Sequence, residues 1–174
     1  AAPDPPLDAA PAAERPAPRA RDRLRWVALT MVPSSLLLGV TTHISTDLAS
    51  APLLWIVPLA LYLLTFVLVF ARWQILPHRW MVLVQPLFVL PLAAVFFQSM
   101  TDWFWSLVGL HLAAFFVTTM VCHGELARTR PPAAWLTEFY LWMSVGGVLG
   151  GLLNAIVAPL LFPWLGRQLS PVAF

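Results

Sequence analysis

The chain has 174 residues, of which 60% are hydrophobic and only 10% charged, and its formal net charge is +2. A soluble domain carries about a quarter charged residues because it needs a polar shell, so this composition indicates a protein that has lipid as its solvent. All 10 basic residues are arginine and lie scattered along the chain, which excludes the clustered basic face of a nucleic-acid-binding protein. The single cysteine, Cys122, excludes an internal disulfide and a multi-cysteine metal site.

The N-terminal arm, residues 1–23, is rich in proline and alanine and carries interspersed Asp, Glu and Arg. It contains no apolar stretch and no cleavage pattern, so it is not a signal peptide. Such a segment cannot bury enough apolar surface to offset the entropy of ordering. We predict a disordered or semi-extended arm, followed by a membrane domain over residues 24–165 and a short tail over residues 166–174.

Apolar blocks long enough to cross a bilayer, which takes about 20 residues, follow the arm. We predict transmembrane helices over residues 24–44, 52–71, 80–98, 103–122 and 136–162. Helices are expected because a lipid-exposed strand leaves its backbone unpaired, and because the blocks lack the alternation of a barrel strand. The predicted fold class is therefore an all-α integral membrane protein with about five transmembrane helices.

Arginines give the predicted helices an orientation. They precede the first helix and occur in the second and fourth connections, whereas the first and third connections contain none. By the positive-inside rule this pattern predicts a cytoplasmic N-terminus and an external C-terminus, with Arg167 as the one exception. Tryptophans at the predicted helix ends are typical of an interfacial aromatic belt; they are Trp26, Trp55, Trp73, Trp80, Trp103, Trp105, Trp135 and Trp164.

The fifth predicted helix contains two overlapping patterns of small residues four apart. Gly146 and Gly150 form one, and Gly147 and Gly151 form the other. Missing side chains let a second helix approach closely, and Asn154, one turn beyond, can hydrogen-bond across the contact. We predict a helix-packing face, whose partner is either another helix of this chain or another membrane subunit that docks through this face and the N-terminal arm.

Two ionisable residues lie at the outer end of the first predicted helix. His43 and Asp47 are four residues apart and share a face if the helix continues. One interpretation is a proton or cation site at the membrane edge, since ionisable groups inside membranes usually mark function. The interpretation that we favour is an interfacial helix end that faces headgroups and water.

A second polar cluster is predicted in the connection after the fourth helix. His123 and Glu125 are two residues apart, which does not fit the spacing of a helical zinc site. Glu138 is the one further carboxylate nearby, and it also suits the first turn of a helix. We favour a salt-bridged loop, in which Arg128 and Arg130 pair with Glu125 and Glu138, over a metal site.

His111 is the titratable residue nearest the middle of a predicted span. An imidazole there can act as a proton relay or as an axial ligand to a haem or a chlorophyll-type cofactor. We favour a hydrogen-bonded packing residue, because the sequence shows no accompanying motif. No cofactor, metal or catalytic residue is predicted.

Several strings resemble the bacterial fused major-facilitator/spermidine-synthase proteins. The similarity covers most of residues 25–162, and the strings that carry it are PSSLLLGVTTHISTD at 33–47, PLLWIVPLALYLLTF at 52–66, CHGELA at 122–127, LTEFYLWMS at 136–144, and GGVLGG at 146–151 with Asn154.

The resemblance implies membrane helices that precede a cytoplasmic aminopropyltransferase-like domain of Rossmann type. The Ala/Pro arm is similar to the linker that separates an earlier helical group from this one. Residues 1–174 contain neither those earlier helices nor the glycine-rich loop of the synthase domain, so no catalytic residue is transferred and we expect no enzyme activity from this chain alone. The resemblance also implies that the protein is located in the bacterial inner membrane.

Three functions remain open at this point. The first is a non-catalytic membrane module, either an anchor for a synthase-like partner or a remnant of a transporter-like unit. The second is an accessory subunit of a larger bioenergetic or photosynthetic complex. The third is a small solute transporter that uses His43 and Asp47, or His123, Glu125 and Glu138, although five helices without an internal repeat fit inverted-repeat transport poorly.

Overall fold

The computed structural model describes residues 17–44, 53, 55–71, 77–98 and 104–161. All regular structure in these ranges is helical. The five α-helices are α1 (Ala20–His43), α2 (Ile56–Phe70), α3 (His78–Gln98), α4 (Phe104–Arg128) and α5 (Leu136–Leu152). Three helical segments are long and apolar enough to cross a membrane: Ala20–His43, Trp105–Arg128 and Ala133–Leu161. This agrees with an all-helical membrane protein.

Helix α1 begins at Ala20, earlier than the predicted start at residue 24. The carboxylate of Asp22 accepts a hydrogen bond from the backbone N–H of Arg19 at 2.9 Å, which satisfies a donor at the helix start. A negative charge in the first turn also complements the helix dipole. The last residues of the predicted arm are therefore helical, and residues 1–16 lie outside the described part of the chain.

Prolines are accommodated inside two of the helices. Pro33 is buried within α1, and α3 runs through both Pro86 and Pro91. Each proline removes one backbone N–H from the helical ladder, and membrane helices tolerate this when neighbouring groups compensate. The span predicted over residues 80–98 is thus a helix of 21 residues in spite of its two prolines.

Helix α4 corrects the prediction most strongly. It continues to Arg128, so residues 123–128, which were predicted as a loop, form its last turns. The Thr129 hydroxyl caps this end by donating to the Glu125 carbonyl oxygen at 3.1 Å, and Pro131 and Pro132 follow. Because a proline disfavours helix at the preceding residue, the chain leaves the helix here. His123 and Glu125 consequently lie on a helix.

Helix α5 follows a single 3-10 turn, Ala133–Trp135, and passes into a π-helical turn, Leu153–Val157, before ending at Leu161. A π turn inserts an extra residue per turn and re-aims the side chains that follow it. The turn contains Asn154, the polar residue of the predicted packing face.

Helices α1 and α4 are at the centre of the bundle, and the other three helices pack on one or both of them. Helix α1 makes its most extensive contact with α5 and also packs on α4 and α2. Helix α4 in turn contacts α3 and α2. The charged ends meet at one end of the bundle, since the start of α1, the end of α4 and the start of α5 are joined there by ion pairs.

Large apolar side chains cover the outside of the bundle. On α3 they recur at Leu83, Leu87 and Leu90, each about two-thirds exposed, which is the helical spacing of a face turned away from the protein. Trp80 and Trp105 are also exposed, as a lipid-interface belt requires. Trp26 differs: it is 2% exposed and packs in the interior, so the predicted belt position is wrong for this residue.

Candidate functional site

The glycine face of α5 packs against α1 of the same chain. A Cβ added at Gly146 overlaps the Thr30 hydroxyl and lies 2.5 Å from the Val27 carbonyl oxygen. At Gly150 it overlaps the Met31 carbonyl oxygen. Such distances leave no room for a side chain, so these glycines bring two helix backbones together. We call this contact the α1–α5 seam.

The other residues of the predicted face lie at the edge of the α1–α5 seam. A Cβ on Gly147 has ordinary contact with Ser34 Oγ at 3.7 Å, and one on Gly151 with Leu38 at 3.8 Å. The Asn154 amide donates to the Ser35 carbonyl oxygen at 2.5 Å and to the Ser35 hydroxyl at 3.1 Å. The partner helix left open by the sequence is therefore internal, and α1 already occupies this face.

A cluster of buried apolar side chains lies at the charged end of the α1–α5 seam. It consists of Trp26, Leu126 and Phe139, one residue each from α1, α4 and α5. The Trp26 and Phe139 rings are T-shaped, with centroids 5.1 Å apart and an interplanar angle of 87°. Edge-to-face aromatic pairs of this kind contribute about 1 kcal/mol beyond the area that they bury.

Glu138 links α5 to α1 just outside this cluster. Arg23 Nε donates to Glu138 Oε1 at 2.5 Å, and Trp142 Nε1 donates to the same oxygen at 3.3 Å. Glu138 also lies in the first turn of α5, where a negative charge suits the helix dipole. Its basic partner is thus Arg23 of α1, and the prediction that Arg128 or Arg130 pairs with it is wrong.

Glu125 joins three elements at the same end of the bundle. Its Oε1 accepts a hydrogen bond from Arg25 of α1. Its Oε2 lies 3.4 Å from His78 Nε2 at the start of α3 and 4.0 Å from Arg128, three residues further along α4. Glu125 is therefore the carboxylate at which α1, α3 and α4 meet, and Arg128 supplies only the longest of its contacts.

His123 precedes Glu125 by two residues on α4, about half a helical turn, and is fully buried. Thr65 Oγ1 donates to the Tyr62 carbonyl oxygen at 2.6 Å and lies 2.9 Å from His123 Nδ1. A carbonyl only accepts, so the single Thr65 hydroxyl proton is used there and the second contact needs a proton on His123 Nδ1. The structure thereby assigns the ring nitrogen that donates, and this bond ties α4 to α2.

The His123 ring is enclosed by aromatic groups of α2. Its centroid lies 3.8 Å from that of Phe66 and 5.2 Å from that of Tyr62. The Tyr62 hydroxyl reaches Ser34 of α1 at 3.4 Å. His123 Nε2 is buried and has no hydrogen-bond partner among the described residues. In a neutral imidazole whose Nδ1 carries the proton, Nε2 is an acceptor, so a basic atom lies in the interior of the bundle.

The opposite end of the bundle is only partly described. His111 Nδ1 donates to the Leu107 carbonyl oxygen at 2.8 Å. A packing histidine and a ligating histidine can both make this bond, so the role that we favoured for His111 stays a prediction. The His43 and His111 rings lie 4.8 Å apart. Asp47 lies outside the described residues, so its predicted pairing with His43 is not tested. Within the described ranges, no group of three or more His, Cys, Asp or Glu residues could hold a metal ion.

No family model, curated protein or solved structure matches this chain. The resemblance to the spermidine-synthase fusion proteins therefore stays a prediction from the sequence. The site has to be interpreted from its own geometry.

The sequence missed four members of the polar cluster. The sequence analysis used Arg23 and Arg25 only to predict the orientation of the chain in the membrane. Two residues apart on a helix, they point in different directions and can reach different neighbours. Thr65 gave no signal, because a hydroxyl inside an apolar run is compatible with a bond to its own backbone. His78 precedes the predicted third helix by two residues, and only the fold brings it to Glu125.

Proposed function

We propose that this chain is a non-catalytic membrane module that serves as an anchor or scaffold, similar to the membrane half of the fused major-facilitator/spermidine-synthase proteins. One observation carries the proposal: both acidic residues of the cluster are engaged in ties between helices. Glu138 binds Arg23 and Glu125 binds Arg25, so the charged end fixes α1 to α4 and α5. Carboxylates paired in this way help to specify which helices pack together.

The proposed topology has five membrane spans in a bacterial inner membrane, with a cytoplasmic N-terminus. Helix α3 has 21 residues, about the length that a bilayer requires. Helix α2 has 15 residues and contains no charged side chain. The arginines of the cluster, Arg23, Arg25 and Arg128, collect at one end, which we assign to the cytoplasm by the positive-inside rule.

The anchor role is tested by affinity purification of the full chain from its native membrane in mild detergent, followed by native mass spectrometry. We expect a stoichiometric complex with a cytoplasmic aminopropyltransferase-like protein or domain. A complex made only of other membrane subunits indicates the accessory-subunit function, with the N-terminal arm as the predicted docking segment. A lone homo-oligomer contradicts both.

A small solute transporter is the second candidate function, since His123 presents a buried nitrogen that has no hydrogen-bond partner within the described part of the chain. Proteoliposomes that contain the purified chain test it by solute uptake with and without a proton gradient. Uptake that disappears in a Glu138→Ala variant establishes transport and contradicts the anchor proposal. Equal permeability of protein-containing and empty vesicles contradicts transport.

A further inference from the structure

A cavity of about 390 Å³ opens between α2 and α3, with α4 as its floor. Both α2 and α3 pack on α4, and the cavity lies where they separate near the charged end. We call it the α2–α3 cleft. The two ion pairs that carry the proposed function, Arg23–Glu138 and Arg25–Glu125, involve none of the residues that line it.

The polar wall of the α2–α3 cleft is positively charged. Arg79, His78 and Arg128 line it. No carboxylate in the described ranges pairs with Arg79, and Arg128 approaches Glu125 only at 4.0 Å. Glu125 is already bound by Arg25, which does not line the cleft. Positive charge therefore exceeds negative charge at this opening.

Helix α3 begins at the cleft with His78, so the positive end of its dipole adds to the arginine charges. Gly124 of α4 lets the His78 ring lie close, because a Cβ there falls 2.6 Å from His78 Nδ1. The two arginines, the imidazole and the helix start surround one volume that suits an anionic oxygen group.

The rest of the cleft is apolar. Leu68 and Val69 of α2 and Met81 of α3 form its walls, and Met120 of α4 lies at its base. This volume is larger than one phosphate group requires, and its walls suit a hydrocarbon chain. A basic rim above an apolar groove between membrane helices matches the two parts of a phospholipid.

We propose that the α2–α3 cleft binds an anionic phospholipid. Its headgroup phosphate lies between Arg79 and Arg128, and an acyl chain lies along Leu68, Val69 and Met81. The apolar walls favour a lipid over free phosphate as the source of the anion. The proposal does not depend on the orientation of the chain in the membrane or on the anchor function.

Native mass spectrometry of the full chain in detergent tests this site by titration with phosphatidylglycerol and, separately, with phosphatidylcholine. We expect preferential retention of one phosphatidylglycerol. An Arg79→Gln substitution should weaken its binding about fivefold, as expected for one arginine near an anionic headgroup. Arg128→Gln is a second variant with the same expected direction, and thermal melting of each variant verifies that it is folded.

Arg130→Gln is the matched control, because Arg130 is exposed at the same end of the bundle and does not line the cleft. It removes the same charge and should leave the affinity for phosphatidylglycerol unchanged. Equal losses in Arg79→Gln and Arg130→Gln overturn the site in favour of general surface attraction. Equal retention of the two lipids, or displacement of the lipid by millimolar inorganic phosphate, overturns it as well.

Discussion

The two sides of the bundle are built in opposite ways. The α1–α5 seam brings backbones together through Gly146 and Gly150, and the Trp26–Phe139 pair seals its charged end. On the other side, α2 and α3 both rest on α4 but leave a cavity of about 390 Å³ between them. The first contact has no space for a side chain, whereas the second has space for a ligand.

The difference follows from which residues line each contact. Helices in lipid gain nothing from hiding apolar surface, so close packing and polar ties decide how firmly they associate. The α1–α5 seam has both, through its glycines and through the Asn154–Ser35 and Arg23–Glu138 bonds. Helix α2 has instead the Thr65–His123 bond, and α3 has the His78–Glu125 contact. Changes at the seam should therefore have larger effects than changes elsewhere.

The largest effect is expected from Gly146→Leu. The new side chain overlaps Thr30 and the backbone of Val27, and backbone cannot move aside as a flexible side chain can. We expect a loss of about 3 kcal/mol in the free energy of unfolding, the upper part of the range for overpacked sites. Reversible unfolding of the full chain by sodium dodecyl sulfate in bicelles, followed by circular dichroism, measures it.

Gly109→Leu is the matched control, because a Cβ on this glycine of α4 meets no atom of another described element within 4 Å. Its stability should equal that of the unmodified chain within about 0.5 kcal/mol. Equal losses of unfolding free energy in Gly146→Leu and Gly109→Leu would show that the glycines act through backbone flexibility. That result would contradict the claim that close packing distinguishes the α1–α5 seam from the other side of the bundle.

A smaller effect is expected from Thr65→Val, which keeps the shape of the side chain and removes its hydroxyl. His123 Nδ1–H then loses its acceptor in a buried position. We expect a destabilisation of about 1 kcal/mol, since hydrogen bonds between membrane helices contribute about that much. The same unfolding experiment measures it.

Thr65→Ser retains the hydroxyl and should keep most of the stability. In a His123→Leu background Thr65→Val should be close to neutral, because no imidazole remains to be left unpaired. An undiminished loss in that background would assign the effect to the Thr65–Tyr62 backbone bond and would remove the proposed tie between α2 and α4.

Much of the helical architecture follows from the sequence because lipid demands long apolar runs. Low charge and the five apolar blocks predict the five helices, and the glycine spacing predicts the packing face. Helix ends were less predictable. A stop at residue 122 was expected where polar residues begin, but His123 and Glu125 find partners on α2, α1 and α3, so α4 continues to Arg128.

The polar cluster was predictable only in part. His123, Glu125 and Glu138 stand out as ionisable residues in an apolar chain, and all three occur in the cluster. Their partners do not stand out, because Arg23 and Arg25 lie about a hundred residues away along the chain. One sequence contains no signal for such pairing. The α2–α3 cleft likewise depends on how two helices separate, which local patterns do not encode.

The smallest effect is expected from the Arg23–Glu138 ion pair, measured by a double-mutant cycle with Arg23→Met and Glu138→Gln. Gln keeps an oxygen that can accept the Trp142 hydrogen bond, so the cycle isolates the charge interaction. With Arg23 38% exposed, water screens the pair, and we expect a coupling of about 0.5 kcal/mol that weakens with added salt. Arg21 is an exposed arginine two residues before Arg23 on α1. The substitution Arg21→Met should show no coupling to Glu138→Gln. If Arg21 and Arg23 couple equally to Glu138, the charged end contributes general electrostatic attraction and no specific ion pair. The stability of the α1–α5 seam would then come from its glycines and from the Trp26–Phe139 pair.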